Sequence, residues 1–488
     1  MIKQGKPIYK DDRRIPMMAY MGPRRAGKRL FDGSYGNPRD PETGYREFWT
    51  DEVFEDYKAA GFSYVLPEGD AFYGENVSDS GIRKEPAFEQ SDLYRFMQKA
   101  RKHHLAVYPS SRAILDEIKL DKGPMTKEER AHVKDFIETV KREFPDIVTG
   151  ILITDEPKIQ VDYRVEECIR YMRELAPELD VFASQFPSYG SIDCFDRGYT
   201  EEKYGDMPIT YEMKEAYYRD YVKCYGRMFG EFSFDHYPIV GGSSSRLCPV
   251  FIRNLEVVAE IAKEEKFPIS ITLQAFRMDK EYDSDKGRGI EVFGLPSYEE
   301  IRYQVYMSLA FGVKRIGYFT FWQHYNEGFY EVFPTAMIVY DEAEESGYRT
   351  TSIYDAVKKI NDQILKFDHV FLNYEWKGAR LIRKSDDENL QFATCDYEDE
   401  YLTDIKAKRD ALIGYMENPE DERNGYWIVN AYNPYYFEWN EMSMRFSGAT
   451  NLLYYRAGRE YDVMLPEDGT FSIRLGAGEG IFVIPYVK

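Results

Sequence analysis

Two carboxylates stand side by side in the stretch Gly150-Ile-Leu-Ile-Thr-Asp-Glu-Pro157, at the end of an apolar run and just before a proline. Six other apolar runs end in polar side chains of a compatible kind. Glu68 and Asp70 follow FSYVLP, and Ser110, Ser111 and Arg112 follow LAVYP. Gln185 lies in DVFASQF, and Asp235, His236 and Tyr237 lie in EFSFDHYPI. Gln274 and Arg277 close PISITLQAFR, and Trp322, Gln323 and His324 close VKRIGYFTFWQH. Acids, amides, an arginine and aromatic rings suit a sugar. Ring faces stack on C–H faces, and the polar groups pair with hydroxyls. Cleaving a glycosidic bond requires one protonated carboxyl to serve the leaving oxygen and a second group at the anomeric carbon. Glu156 fits the proton donor, because aromatic walls and the like charge of Asp155 would raise its pKa. Asp155 would orient the substrate or the attacking group. Asp235 is the best second carboxylate, with Tyr237 adjusting its hydrogen bonding. Glu68, Arg112, Gln185, His236, Gln274, Arg277, Trp322 and Gln323 complete a candidate binding set.

Each residue also has a purely structural reading. Asp155 could cap a helix start with Pro157 in its first turn. Glu68 and Arg112 could be ion-pair partners, and His236 and Trp322 could be packed. Gln274 and Arg277 could only buttress the acids. A metal is not called for. The six histidines contain no HxH or HxxxH spacing, and the five cysteines are odd in number with no close pair. Two carboxyl groups suffice for the reaction, so no cofactor is expected. A lyase or isomerase with a carboxylate-held metal is a more distant reading.

The elements that must carry these residues repeat. Apolar runs begin near residues 15, 62, 105, 148, 180, 231, 268 and 313, and an amphipathic helical segment follows each. In one segment Val133, Phe136, Ile137 and Val140 form a single stripe. The runs carry apolar residues at consecutive positions, as strands covered on both faces do. Eight such units predict a closed parallel (β/α)8 TIM barrel, whose chemistry sits at the carboxyl ends of its strands. An open doubly wound sheet is the alternative, but no Gly-rich phosphate loop follows the first run. After about Asp368 the period shortens to alternating runs such as GYWIVNAYN and GIFVIPYV, separated by turn groups. This predicts a barrel over 1–372 and a smaller all-β, sandwich-like domain over 373–488.

Composition bounds the partners. The chain has 488 residues and a net charge of −21, which argues against nucleic acid and anionic membrane surfaces. No run of about 18 apolar residues exists. The first residues, MIKQGKPIYKDDRR, lack the apolar core of a secretory signal, so the expected location is cytoplasmic. The expected partner is a neutral oligosaccharide or glycoside, and the oligomeric state is not legible.

Three features resemble the clan A (β/α)8-barrel glycoside hydrolases. The TDEP ending of the fourth run resembles the clan's strand-four Asn-Glu-Pro, whose Glu is the acid/base. This implies that role for Glu156. The segment YQVYMSLAFGVKRIGYFTFWQ resembles the clan's approach to a sugar-facing strand-eight tryptophan, which implies Trp322. The ending GAGEGIFVIPYV resembles the accessory β domains of β-galactosidase-like families. Two positions depart from the pattern. Asp155 replaces the Asn, and Gln274 stands where the clan's nucleophilic Glu would be. An amide cannot form the glycosyl ester. The second group would then be Asp235 or Glu68, or the 2-acetamido group of an N-acetylated substrate. Adjacent Asp-Glu pairs serve the latter chemistry in barrel hexosaminidases. The remaining alternative is a sugar-binding protein that has lost hydrolysis.

Overall fold

The structure is a computed structural model that describes residues 1–23, 26–27, 46–67, 87–115, 117–205, 207–242, 246–283, 288–326, 331–341, 343–387 and 390–488. It is a mixed α/β assembly followed by a β-rich C-terminal part. Glu68 and Asp70 lie outside the described residues, and so does the side chain of Arg112.

Eight strands carry the first part: β1 (Met17–Ala19), β2 (Tyr64–Val65), β3 (Ala106–Val107), β4 (Gly150–Asp155), β5 (Asp180–Ser184), β6 (Phe232–His236), β7 (Ile269–Gln274) and β8 (Val313–Phe319). Each is followed by a helix: α1 (Asp51–Ala59, after β1), α2 (Asp92–Lys102), α3 (Lys127–Glu143), α4 (Asp162–Leu175), α5 (Tyr211–Phe229), α6 (Phe251–Glu265), α7 (Tyr298–Ala310) and α8 (Ser352–Ile364). The helices start where the sequence provides caps. Thr126 with Glu129 opens α3 and Ser297 with Glu300 opens α7, each as a reciprocal capping box. The predicted stripe of α3 is the buried one.

Parallel ladders join β1 to β8, β8 to β7, β7 to β6, β5 to β4, and β3 to β2. Shorter links fill the rest. Gln185 bridges to Phe234 between β5 and β6, and Val107 bridges to Val148 between β3 and β4. Ser63 N donates to Met17 O at 2.9 Å between β2 and β1. The hydrogen-bonded path therefore returns to its first strand.

Side chains alternate across these strands. One set packs under the helices in the main core. The other set, Met18, Tyr20, Tyr64, Leu66, Tyr108, Leu152 and Phe182, forms its own cluster. At the amino-terminal ends of the strands this inner cluster is sealed by a charge. The Arg315 guanidinium meets Asp180 Oδ2 at 2.8 Å and Glu231 Oε1 at 3.2 Å, and it lies 5.4 Å from the Tyr64 ring centroid. The carboxyl ends are left for other work.

The loops there hold a feature that periodicity does not announce. Arg277–Asp283 and Arg288–Phe293, after β7, pair antiparallel with each other, and the former also pairs with Glu331–Thr335 after β8. His324–Asn326 completes a four-stranded sheet.

The C-terminal part is two antiparallel sheets. Their strands are β9 (Glu375–Ile382), β10 (Leu402–Ala407), β11 (Ala411–Asn418), β12 (Arg423–Asn430), β13 (Asn440–Phe446), β14 (Asn451–Arg456), β15 (Arg459–Met464), β16 (Thr470–Leu475) and β17 (Gly480–Val487). One sheet runs β9-β11-β12-β17-β14-β15, and the other runs β10-β13-β16. Ile413, Tyr426, Met444, Phe446 and Phe471 pack between them. The strands of these sheets start at Glu375, and Lys3–Gln4 pair parallel with β17, so the first residues sit with them. The run LQFATCDY is not a strand, whereas the charged Leu402–Ala407 segment is one. Helix α7 lies directly on the larger sheet. A Cβ on Gly414 would sit 2.2 Å from Ala310 O, so only glycine permits this approach. Among the described residues no helix is long and apolar enough to cross a membrane.

Candidate active site

Strand β4 does not alternate regularly. Leu152 pairs with Phe182, but Thr154 pairs with Ala183 and Asp155 with Ser184, because the register shifts between Leu152 and Thr154. Regular alternation would put Thr154 and Glu156 on the side of Leu152. The bulge instead turns Asp155 to that side, as bulges near functional sites do. Asp155 is not a helix cap, since α4 begins only at Asp162 and lacks a side-chain cap. Glu156 leaves the strand at φ 47°, and its N–H donates to Ser184 O at 2.7 Å. That left-handed conformation costs a bulky residue about 1–3 kcal/mol and is usually held where it serves a site.

Two strands away, Asp235 stands near the end of β6, paired in register with Thr272 of β7. Its Oδ1 is buried and has no hydrogen-bond partner among the described residues. Ser184 Oγ of β5 and Ser233 Oγ of β6 share that condition. Buried polar atoms are rarely left unpaired. Their concentration at the ends of neighbouring strands marks a place built for polar company.

Electrostatics couples the acids. Burial pushes the Asp155 carboxyl up, with the Lys119 charge opposing. Asp235 is pushed up to about 7, first by burial and then by the Asp155 charge. A hydrogen bond with Tyr237 offsets only part of this. Two carboxyls this close cannot both ionise cheaply, so the pair keeps a proton up to near-neutral pH. The Glu156 charge reaches the same neighbourhood, since it pushes up the hydroxyls of both Tyr189 and Tyr237, behind burial and the Asp235 charge. Asp235 and Glu156 thus act on one set of tyrosines, and Asp155 acts on Asp235.

Aromatic rings wall this place. Tyr237 lies 5.0 Å from Phe276, 5.7 Å from Phe319 and 5.8 Å from Phe293, between ring centroids. Phe333, on the antiparallel sheet, lies 5.5 Å from Phe319. Tyr20, from the end of β1, faces Phe319 at 6.1 Å. Phe319, Tyr189 and Tyr20 lie outside the set expected from the sequence. The signal for Phe319 was the alternation Arg315, Gly317, Phe319 along β8.

Asp235 feels the Asp155 charge and a hydrogen bond with Tyr237, and Glu156 acts on Tyr237, but the other candidates are placed differently. Trp322 is 0% exposed, stacked on Tyr340 at 5.0 Å and packed by Phe48 at 5.1 Å, so its ring offers no face to a sugar. The apolar run on which its platform role was expected continues past the end of β8, and Trp322 turns behind the strand. Gln274 is fully buried and serves the backbone. Its Oε1 accepts from Ile239 N at 2.8 Å, and its Nε2 donates to Ile239 O and Gly294 O. It staples loops instead of binding substrate. Gln185 Oε1 accepts from Ser233 N at 2.9 Å and ties β5 to β6. His236 points under the helices, where Nδ1 meets Asn254 Oδ1 at 2.9 Å. Burial lowers its pKa to about 4, so it is neutral and packed. Arg277 forks onto buried Asp279 at 2.9 and 3.0 Å within the antiparallel sheet. Gln323 Oε1 accepts from Tyr340 N at 3.2 Å, on the Trp322 side. Arg112 opens a short helix, Arg112–Leu115, just past β3. Among the described residues no group of three or more His, Cys, Asp or Glu side chains is placed to hold a metal ion.

Neither a protein-family model nor a curated protein sequence matches the chain. Its structural neighbours are glycoside hydrolases. An α-amylase from Anoxybacillus is 11% identical, with a TM-score of 0.49 over 99% of this chain and 100% of that one. A family 5 glycoside hydrolase from Bacteroides vulgatus is 11% identical, with a TM-score of 0.48 over 89% and 85%. A family 51 α-L-arabinofuranosidase from Bifidobacterium longum is 10% identical, with a TM-score of 0.40 over 89% of each chain. At such identities and scores the likeness carries no argument about what this chain does.

Proposed function

We propose that the chain is a (β/α)8-barrel glycoside hydrolase with a C-terminal β-sandwich, acting on a neutral or N-acetylated oligosaccharide. The observation that supports this reading is the coupling of Asp155 and Asp235 at the carboxyl ends of β4 and β6, with Glu156 next to Asp155 in the chain and aromatic rings around Tyr237. Glu156 is the general acid/base and delivers its proton to the leaving oxygen. The ionised member of the Asp155–Asp235 pair faces the anomeric carbon. It takes the proton of the attacking water or, for an N-acetylated sugar, holds the acetamido N–H while its oxygen attacks. Phe319, Tyr237 and Tyr20 supply the apolar faces, and burial keeps the pKa values of Asp155 and Asp235 high. The reaction needs no cofactor.

The test is hydrolysis of a panel of aryl glycosides and oligosaccharides. On a responsive substrate Glu156→Gln is expected to lose about 10²–10⁴-fold in rate, least where the leaving group needs no proton. Full activity in that variant removes Glu156 from the mechanism.

A second reading has one observation in its favour. Strand β7 carries no carboxylate, and its last residue, Gln274, is spent on the backbone. A non-catalytic carbohydrate-binding protein on the same scaffold would bind sugar saturably and show no turnover at any protein concentration.

A further inference from the structure

A second patch of aromatic rings lies outside the strand-end site. The loop Asn433-Pro-Tyr-Tyr-Phe-Glu-Trp439 exposes four rings in a row: Tyr435 at 43%, Tyr436 at 49%, Phe437 at 58% and Trp439 at 46%. Large apolar side chains rarely cluster in solvent without a use. The rings are also held in place. Asn433 accepts from Tyr435 N at 3.1 Å and donates to Asp387 at 3.1 Å, and Asn430 donates to Glu438 O at 3.1 Å. Phe437 sits at φ 56°, a conformation that bulky residues adopt only when the surroundings impose it. Arg474 lies 4.7 Å over Trp439, and Arg246 lies 5.3 Å over Tyr435.

From Trp439 the patch runs onto the open face of the β10-β13-β16 sheet. There Lys406, Glu441, Ser443, Ser472 and Arg474 line a shallow groove of about 740 Å³. In the other direction it reaches the strand-end face, because Arg246 belongs to the segment between β6 and α6. Beside the loop the charges are paired, whereas Lys406 and Lys408 of the groove have no ion pair among the described residues. Arg409 pairs with Glu438 at 2.9 Å, and Arg246 pairs with Glu300 at 3.3 Å. Around the loop itself this stretch offers rings, hydroxyls and neutralised ion pairs. That chemistry suits a neutral polyhydroxylated chain.

We propose that the Asn433–Trp439 loop and the adjoining sheet face bind a neutral glycan chain, as a surface separate from the strand-end acids and continuous with their face. The ligand class rests on the carbohydrate reading of the strand-end site.

The test is affinity electrophoresis of the full chain in galactomannan, arabinoxylan, mixed-linkage β-glucan and pullulan. The wild type, the triple variant Y435A/Y436A/W439A and Glu156→Gln are compared, alongside aryl glycoside hydrolysis. All three truncated rings are exposed, so the triple variant is expected to fold. The expected result is retardation of the wild type in at least one gel, weakened about tenfold or more in the triple variant, as for truncation of aromatic hot spots. Hydrolysis of a small aryl glycoside by the triple variant should be unchanged, and Glu156→Gln should be retarded like the wild type. Retardation that survives the triple substitution, or a wild type retarded in none of the four gels, overturns the proposal. So does a wild-type dimer in sedimentation that the triple variant splits, since the rings would then cover a second copy. A wild type that is retarded but never hydrolyses sinks the catalytic reading and leaves the surface standing.

Discussion

Asp235 carries a cost that the fold accepts. A carboxyl whose folded pKa is pushed up to about 7 holds a proton that the unfolded chain gives up near its ordinary value of 3.8. Between those values the folded state binds more protons, so its stability falls as pH rises, by about 1.4 kcal/mol per unit of separation. Asp155, also pushed up, adds in the same direction. Asp235→Asn keeps the shape and removes the charge. It is expected to raise Tm at pH 7.5 while leaving Tm at pH 4 nearly unchanged, and thermal melts across that range check it. Equal shifts at both pH values would contradict a titrating Asp235. An acid kept at this cost is better explained by use than by packing.

At the scale of elements, the eight strand–helix units were legible because strands covered on both faces are apolar at consecutive positions and the helices between them keep one stripe. The same fact limited what could be read at their ends. A continuous apolar run does not say which side each residue faces, or where the strand stops. The run through Phe319 continues to Phe321 and Trp322, so the buried Trp322 was expected at the mouth, and Phe319, the strand's last residue, was passed over. The shift in β4 that aims Asp155 depends on which pair in β5 slips, and this leaves no mark in GILITDEP. The antiparallel sheet over the mouth was illegible because RMDKEYD is charged and reads as a loop. Nor did periodicity reveal the seal at the other end of the strands. Arg315 there is buried against Asp180, Glu231 and Tyr108. Removing one partner of such a network leaves charges uncompensated. Arg315→Ala is expected to cost about 3–5 kcal/mol of stability, measured by denaturant unfolding at neutral pH. A loss below about 1 kcal/mol would mean that the network is solvated like a surface pair.

At the scale of the molecule, strand order does the work. Asp155 and Asp235 belong to separate strand–helix units and meet only because β5 lies between β4 and β6. The smaller sheets serve the same end from outside. The C-terminal part packs on α7 and presents the Asn433–Trp439 loop toward the segment after β6, so the aromatic patch and the acids share one side of the molecule. The run of strands from Glu375 onward was legible from the change of period near residue 368. The return of Lys3–Gln4 to β17 was not, since two residues at a chain end carry no period.

The central claim is that Asp155 and Asp235 face each other over one site and share a proton. The direct measurement is a pH titration of the aspartate side-chain carboxyl ¹³C shifts, in the wild type and in Asp155→Asn. One aspartate, lost from the spectrum in Asp235→Asn, should titrate near neutral pH and move to lower pH when Asp155 is neutralised. If every aspartate titrates in the ordinary acidic range, or if Asp155→Asn leaves the Asp235 titration where it was, the two acids do not share a site and the proposed chemistry loses its centre.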